Sequence, residues 1–201
     1  GAFPSIIYST ASIDRLKEMD HGEGEQSEKC EDITTNDVLG IRMDNVTFRY
    51  AKGDRDVVSH FSHDFRPGTK TAILGTTGTG KTTLFRLILN FIQPASGVVA
   101  FYGDGFTHVA DKSTRAHVVF VPQGNTLISG TIRNNLLMAK PDASDEELHT
   151  VLYTSCADFV FDLPQGLDTV LSEHGGGLSE GQAQRIAIAR GLLRPGAVLL
   201  L

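Results

Sequence analysis

Thr71-Ala-Ile-Leu74 runs straight into Gly75-Thr-Thr-Gly78-Thr-Gly80-Lys81-Thr82-Thr83, and this stretch decides the fold. The first four residues read as a short, fully apolar strand. The next nine fit the spacing G-x-x-x-x-G-K-[ST], and Lys81 to Phe91 then reads as a helix with Leu84, Leu87, Ile88 and Phe91 on one face. The chemistry explains the composition. Glycines let consecutive backbone N–H groups turn inward around phosphate oxygens, and the loop ends at a helix N-terminus, whose dipole favours an anion. Lys81 supplies a point charge for β- and γ-phosphates, and the Thr82 hydroxyl is placed to ligate Mg2+. Gly75, Thr76, Thr77, Gly78, Thr79, Gly80, Lys81, Thr82 and Thr83 are therefore the expected nucleotide contacts. Strand, loop and helix in the required order separate this pattern from a Gly-rich turn with a chance lysine.

Working outward, Ile41 to Tyr50 alternates apolar and polar residues, the period of a half-exposed strand, and Asp56 to Arg66 reads likewise before Pro67-Gly68. Further strands are expected at 97–102 and 117–121, and Ala197 to Leu201 reads as a buried parallel strand. Helices are expected at 131–138, 144–157 and 182–193; the second opens on Ser144-Asp-Glu-Glu147, a capping box. Apolar strands alternating with helices indicate α/β architecture with a largely parallel central sheet, and the alternating early strands add an antiparallel subdomain.

The 201 residues carry 18 Lys+Arg against 24 Asp+Glu, a net charge of −6. Glu18 to Asp37 alone holds eight acids against Lys29, a balance of −7 that leaves +1 for the rest. That polar run reads as a solvated linker, preceded by a short amphipathic segment, Ser5 to Met19. The expected division is therefore 1–37, belonging to a preceding domain, and 38–201. Apolar stretches fall far short of the roughly 18–20 residues that cross a bilayer. The acidic balance argues against nucleic acid as a partner. Cys30 and Cys156 have neither metal-ligand nor disulfide spacing, which suits a reducing compartment, and Cys156 is expected to pack within its helix. His60 and His63, three apart on a strand, make a poor metal pair. A Gly at residue 1 and an ending inside an apolar strand are read as the marks of a fragment.

Leu178-Ser179-Glu180-Gly181-Gln182 stands just before the helical run Ala183 to Arg190. Alone, it is a Ser-capped helix start. Following a P-loop and preceding a buried strand, it resembles the signature motif of ATP-binding cassette (ABC) proteins, whose usual form has Gly where Glu180 stands. The resemblance covers about residues 41 to 201 and implies an ABC ATPase core with a helical subdomain. It implies that Gln123, in Val121-Pro-Gln123, belongs to a Q-loop reaching Mg2+ and the attacking water; by itself Gln123 reads rather as an exposed strand-end amide. Likewise it implies that Tyr50 stacks on adenine, where the residue alone reads equally as a strand-edge tyrosine. Ser179, Gly181 and Gln182 would contact ATP.

Ser129-Gly-Thr-Ile-Arg-Asn-Asn-Leu136 and Asp168-Thr-Val-Leu-Ser-Glu173-His-Gly175 resemble segments of ABC exporters. In that family the second segment meets loops of a membrane domain, so Glu173 is implied as a polar contact; alone it reads as a loop carboxylate. The resemblance implies ATP and Mg2+, with Lys81, Gln123 and Ser179 serving hydrolysis and Thr82 and Gln123 serving the metal. It further implies a second nucleotide-binding domain as partner, a transmembrane domain on the same chain, and a place at the cytoplasmic face of a membrane. Val198 to Leu201 resembles the start of Walker B, whose Asp and Glu would follow, so this stretch of chain is expected to hydrolyse essentially no ATP. The alternative is a degenerate regulatory cassette that binds ATP without hydrolysing it.

Overall fold

The computed structural model describes residues 38–51, 53–124, 126–172 and 177–201. The amphipathic segment, the acidic linker and Glu173 lie outside the described residues.

Strands β1 (Gly40–Phe48), β2 (Val58–Phe65), β3 (Ser96–Gly103) and β4 (Phe106–Val109) form an antiparallel sheet in the order β2-β1-β3-β4. Alternation puts Ile41, Met43, Val46 and Phe48 inside while Arg42, Asp44 and Asn45 face water. The step of three between Met43 and Val46 is a bulge: Asn45 and His60 both take φ 48°, and the register shifts there. Side chains satisfy the displaced amides. Asn45 N–H donates to Ser62 Oγ at 2.8 Å, and His60 N–H donates to Thr47 Oγ1 at 3.0 Å. The His60 ring is engaged with Asn45, while His63 lies against Phe61 and Phe65. Among the described residues no group of three or more metal-ligating side chains forms.

Helix α1 (Lys81–Ile88) buries Thr83, Leu84, Leu87 and Ile88. It stops short of Phe91 because Asn90 turns left-handed at φ 51°. Phe91 N–H then bonds Arg86 O and Asn90 N–H bonds Leu87 O, the paired bonds of a Schellman ending. Arg115 completes the terminus, donating to the Leu89 and Asn90 carbonyls, a favourable place for a cation. Strands β5 (Val118–Phe120) and β8 (Val198–Leu200) pair in parallel, the parallel part of the sheet among the described residues.

Between them lie a small antiparallel pair, β6 (Gly130–Thr131) with β7 (Val170–Leu171), and helices α2 (Ile132–Leu137), α3 (Asp145–Thr154) and α4 (Glu180–Leu192). Their core is Ile132, Leu136, Leu148, Leu152, Val160 and Ile186, all fully buried. The α3 capping box forms as expected, with Ser144 and Glu147 capping each other's amides. No helix among the described residues is long and apolar enough to cross a membrane.

Two expectations need correction. Thr71–Leu74 forms no strand, because no described strand is hydrogen-bonded to it, and Leu74 is 91% exposed. Cys156 is not packed in a helix. It is exposed, beyond the end of α3, at φ 56°. Hairpin strand β4 and the β6–β7 pair were not expected from periodicity, being too short to show one.

Candidate functional site

The loop Gly75–Gly80 is built by its own backbone. Gly78 and Gly80 take φ 86° and 93°, conformations open to glycine. A Cβ on Gly80 would also stand 3.0 Å from the Val57 carbonyl oxygen, so the loop can lie against the start of β2 only as glycine. Thr79 closes the turn, its hydroxyl donating to Thr76 O at 2.8 Å. Lys81 Nζ crosses the loop and donates to Gly75 O at 2.6 Å and Thr76 O at 2.9 Å. An ammonium has three N–H donors, so one remains for an anion.

The helix start itself is the telling feature. Helices α2, α3 and α4 begin on Thr131, Ser144 and Ser179, whose hydroxyls accept a first-turn N–H. Helix α1 begins on Gly80 with no side-chain cap. Its first amides and the positive end of its dipole therefore stay available to a ligand. Thr76, Thr77 and Thr82 are exposed around it. Thr83 is buried and turned away, its hydroxyl 3.2 Å from the Tyr50 hydroxyl.

That contact brings Tyr50 to the loop. Its ring packs edge-on against Phe48, with centroids 4.8 Å apart, and Arg86 Nη1 donates to its hydroxyl at 3.1 Å. The remaining ring surface is partly open. Gln123 follows β5 and is exposed, and no hydrogen bond engages its side chain among the described residues. Phe85 on α1 and Phe120 on β5 meet at 6.1 Å, packing the P-loop helix against the strand that leads to Gln123.

Ser179, Gly181 and Gln182 stand together at the start of α4, and no hydrogen bond or ion pair joins them to the P-loop among the described residues. Ser179 and Gln182 form a second capping box: Gln182 N–H donates to Ser179 Oγ at 3.2 Å, and Ser179 N–H to Gln182 Oε1 at 2.9 Å. The Ser179 hydroxyl accepts in that bond, so its proton is free to donate outward. A Cβ on Gly181 would meet nothing within 4 Å. Glycine is not required there by this chain's own packing.

Contacts made by Arg86, Arg190 and Thr126 were not foreseen from sequence. Arg190 reaches Thr126, 64 residues away, a separation that leaves no local signal.

An uncapped helix start behind a glycine loop, a lysine over the loop and an α/β frame define a P-loop nucleotide-binding protein. Comparison gives the family. The profile described as ABC transporter matches residues 58–201. The chain is 38% identical, over 99% of its length, to the uncharacterized ABC transporter ATP-binding protein YfiB of Bacillus subtilis, covering 35% of that protein. It is 42% identical, over 80% of its length, to the mycobactin import ATP-binding/permease protein IrtB of Mycolicibacterium thermoresistibile, covering 28% of it. A bacterial Atm1-family ABC exporter with ATP bound superposes with a TM-score of 0.76 at 34% identity, covering 96% of this chain and 34% of the exporter. The chain belongs to the ABC transporter family, in its ATP-binding portion, and spans about a third of the length of these relatives.

Proposed function

We propose that the chain is the ATP-binding part of an exporter-type ABC transporter, in which two such cassettes close head-to-tail on ATP and drive an attached transmembrane domain. The observation that carries the reading is the contrast at the helix starts: the P-loop helix is uncapped while the other three α-helices among the described residues cap themselves. Lys81 holds two carbonyls of the loop, which leaves its third N–H for a phosphate oxygen. Tyr50 offers its ring face to adenine.

Ser179 and Gly181 serve the partner's nucleotide. The Ser179 hydroxyl accepts within its capping box and so keeps its proton free to donate, and the open space at Gly181 suits close approach of a second chain. Glycine in a first helical turn costs about 1 kcal/mol against alanine, and an external ligand gives that cost a purpose. Thr82 and Gln123 present neutral oxygens, a donor set that fits a hard cation completing its shell with phosphate and water. Thr82 and Gln123 would hold Mg2+, which would supply charge neutralisation for the phosphates. Export as the direction follows the exporter-like segments Ser129–Leu136 and 168–175. The relative named for mycobactin import shows that a similar cassette also serves a protein named for uptake.

The test is Lys81→Ala in the full-length protein. MgATP hydrolysis is expected to be abolished and ATP binding weakened. Wild-type turnover in that variant would refute the P-loop assignment. ATP binding without hydrolysis in the wild-type protein would identify the regulatory cassette instead.

A further inference from the structure

One side chain joins the signature helix to the segment that follows β5. Arg190, in the last turn of α4, donates from Nη1 to the Thr126 carbonyl at 3.1 Å and from Nη2 to Thr126 Oγ1 at 2.8 Å. Both acceptors are neutral, and no carboxylate pairs with Arg190 among the described residues. Burial lowers the pKa of its guanidinium from the ordinary value, which reports a cation partly withdrawn from water. Such a charge is tolerated only while its hydrogen-bond partners stay in place. The planar guanidinium fork also fixes the orientation of Thr126 as well as its distance.

Thr126 lies three residues after Gln123, with Gly124 at φ 97° between them. Before Gln123, Val121 is buried and its N–H bonds Leu200 O at 2.9 Å. After it, Thr126 is held by Arg190, and Leu127 is buried in the helical core. Next to Arg190, Gly191 lets α4 press on the same strand end, since a Cβ there would stand 2.8 Å from Val121 Cγ2. The span borders an open cleft of about 520 Å³, lined by Pro122, Thr126, Ile128, Met138 and Arg190 itself.

We propose that Arg190 is a positioning residue: through Thr126 it locks the Gln123 segment to the signature helix, so that the two move as one piece, and it acts on hydrolysis only through Gln123. This rests on the nucleotide-site reading above. The two ends of the lock belong to elements serving different nucleotides of the head-to-tail pair, so Arg190 ties the arrival of Gln123 at one site to the placement of Ser179 at the other.

The experiment measures kcat and KM for MgATP, together with the thermal midpoint, in the full-length transporter. Thr126→Val keeps the side-chain shape and removes one acceptor; Arg190→Gln removes the fork. Each is expected to lower kcat about tenfold, the size of a lost hydrogen bond to a charged group, with KM unchanged. Adding either to Gln123→Ala is expected to cost nothing further, measured above the Lys81→Ala background, and Thr126→Ser is expected to restore kcat. A role in packing alone would lower the midpoint and multiply with the Gln123→Ala loss, and that result overturns the proposal. Should Arg190→Gln fail to fold, the Thr126→Val and Gln123→Ala cycle decides the matter alone. Wild-type hydrolysis in Lys81→Ala would overturn the nucleotide-site reading and this proposal with it. Abolished hydrolysis there, with multiplying losses in the cycle, would overturn the role of Arg190 alone.

Discussion

Cys156 and Asn90 occupy the same place in two helix endings. Each sits left-handed, at φ 56° and 51°, one residue past the cap, with the paired Schellman bonds around it. Asn tolerates that conformation because its short polar side chain can bond locally; Cys has no such compensation. A non-glycine residue there costs about 1–2 kcal/mol. Glycine would remove that strain and return about 0.5–1 kcal/mol of it as greater freedom in the unfolded chain. Cys156 is exposed, so its side chain contributes little packing. Cys156→Gly is therefore expected to stabilise the fold by about 0.5–1 kcal/mol, read as a higher urea midpoint at unchanged slope. A lower midpoint would show that the thiol makes a contact worth more than the strain. Gly78 and Gly80 of the P-loop sit at positive φ too, and at Gly80 the absent Cβ also lets the loop lie against Val57.

At the scale of elements, the start of α3 combines a cap and an ion pair in one residue. Glu147 accepts from the Ser144 N–H at 2.8 Å and pairs with Lys140. The pair with Lys140, then the Ser144 amide, hold the Glu147 carboxyl below its ordinary pKa of 4.5. A carboxylate depressed on folding contributes stability above its unfolded pKa and loses it as pH falls through the folded value. Lys140 is raised above 10.5 by the same pair, so its share is lost only as pH rises through the folded value. Between those limits the pair is complete. Glu147→Gln is expected to lower the thermal midpoint at neutral pH, with the gap to wild type closing as pH drops below about 4.5. A gap independent of pH would assign the effect to packing.

The Ser144–Glu147 capping box was legible in the sequence, because S-x-x-E acts within one turn. The P-loop was legible for the same reason, its residues being contiguous. The bulge pairing Asn45 with Ser62 and the Arg190–Thr126 lock were not, since each depends on where another strand or helix passes.

The whole molecule carries its largest departure from expectation beside its clearest motif. An apolar run such as Thr71-Ala-Ile-Leu74 before a P-loop reads as a buried strand, yet here Leu74 is 91% exposed and no strand pairs with it. A strand is defined by its neighbours as much as by its residues, because its N–H and C=O groups need a ladder and its side chains a face to pack on. The chain spans about a third of its relatives, which carry the same cassette within much longer proteins. Leu74→Ser separates the two descriptions. In the 201-residue chain it is expected to change stability by less than about 0.5 kcal/mol, as at an open surface position. In the full-length protein, where the run's composition calls for a covering neighbour, the same change is expected to cost about 2–5 kcal/mol, the range for truncating a buried leucine. Urea titration of the first and the thermal midpoint of the second read the two values. Equally small losses in both would mean that 71–74 stays uncovered and that the P-loop is held in place by α1 and Val57 alone.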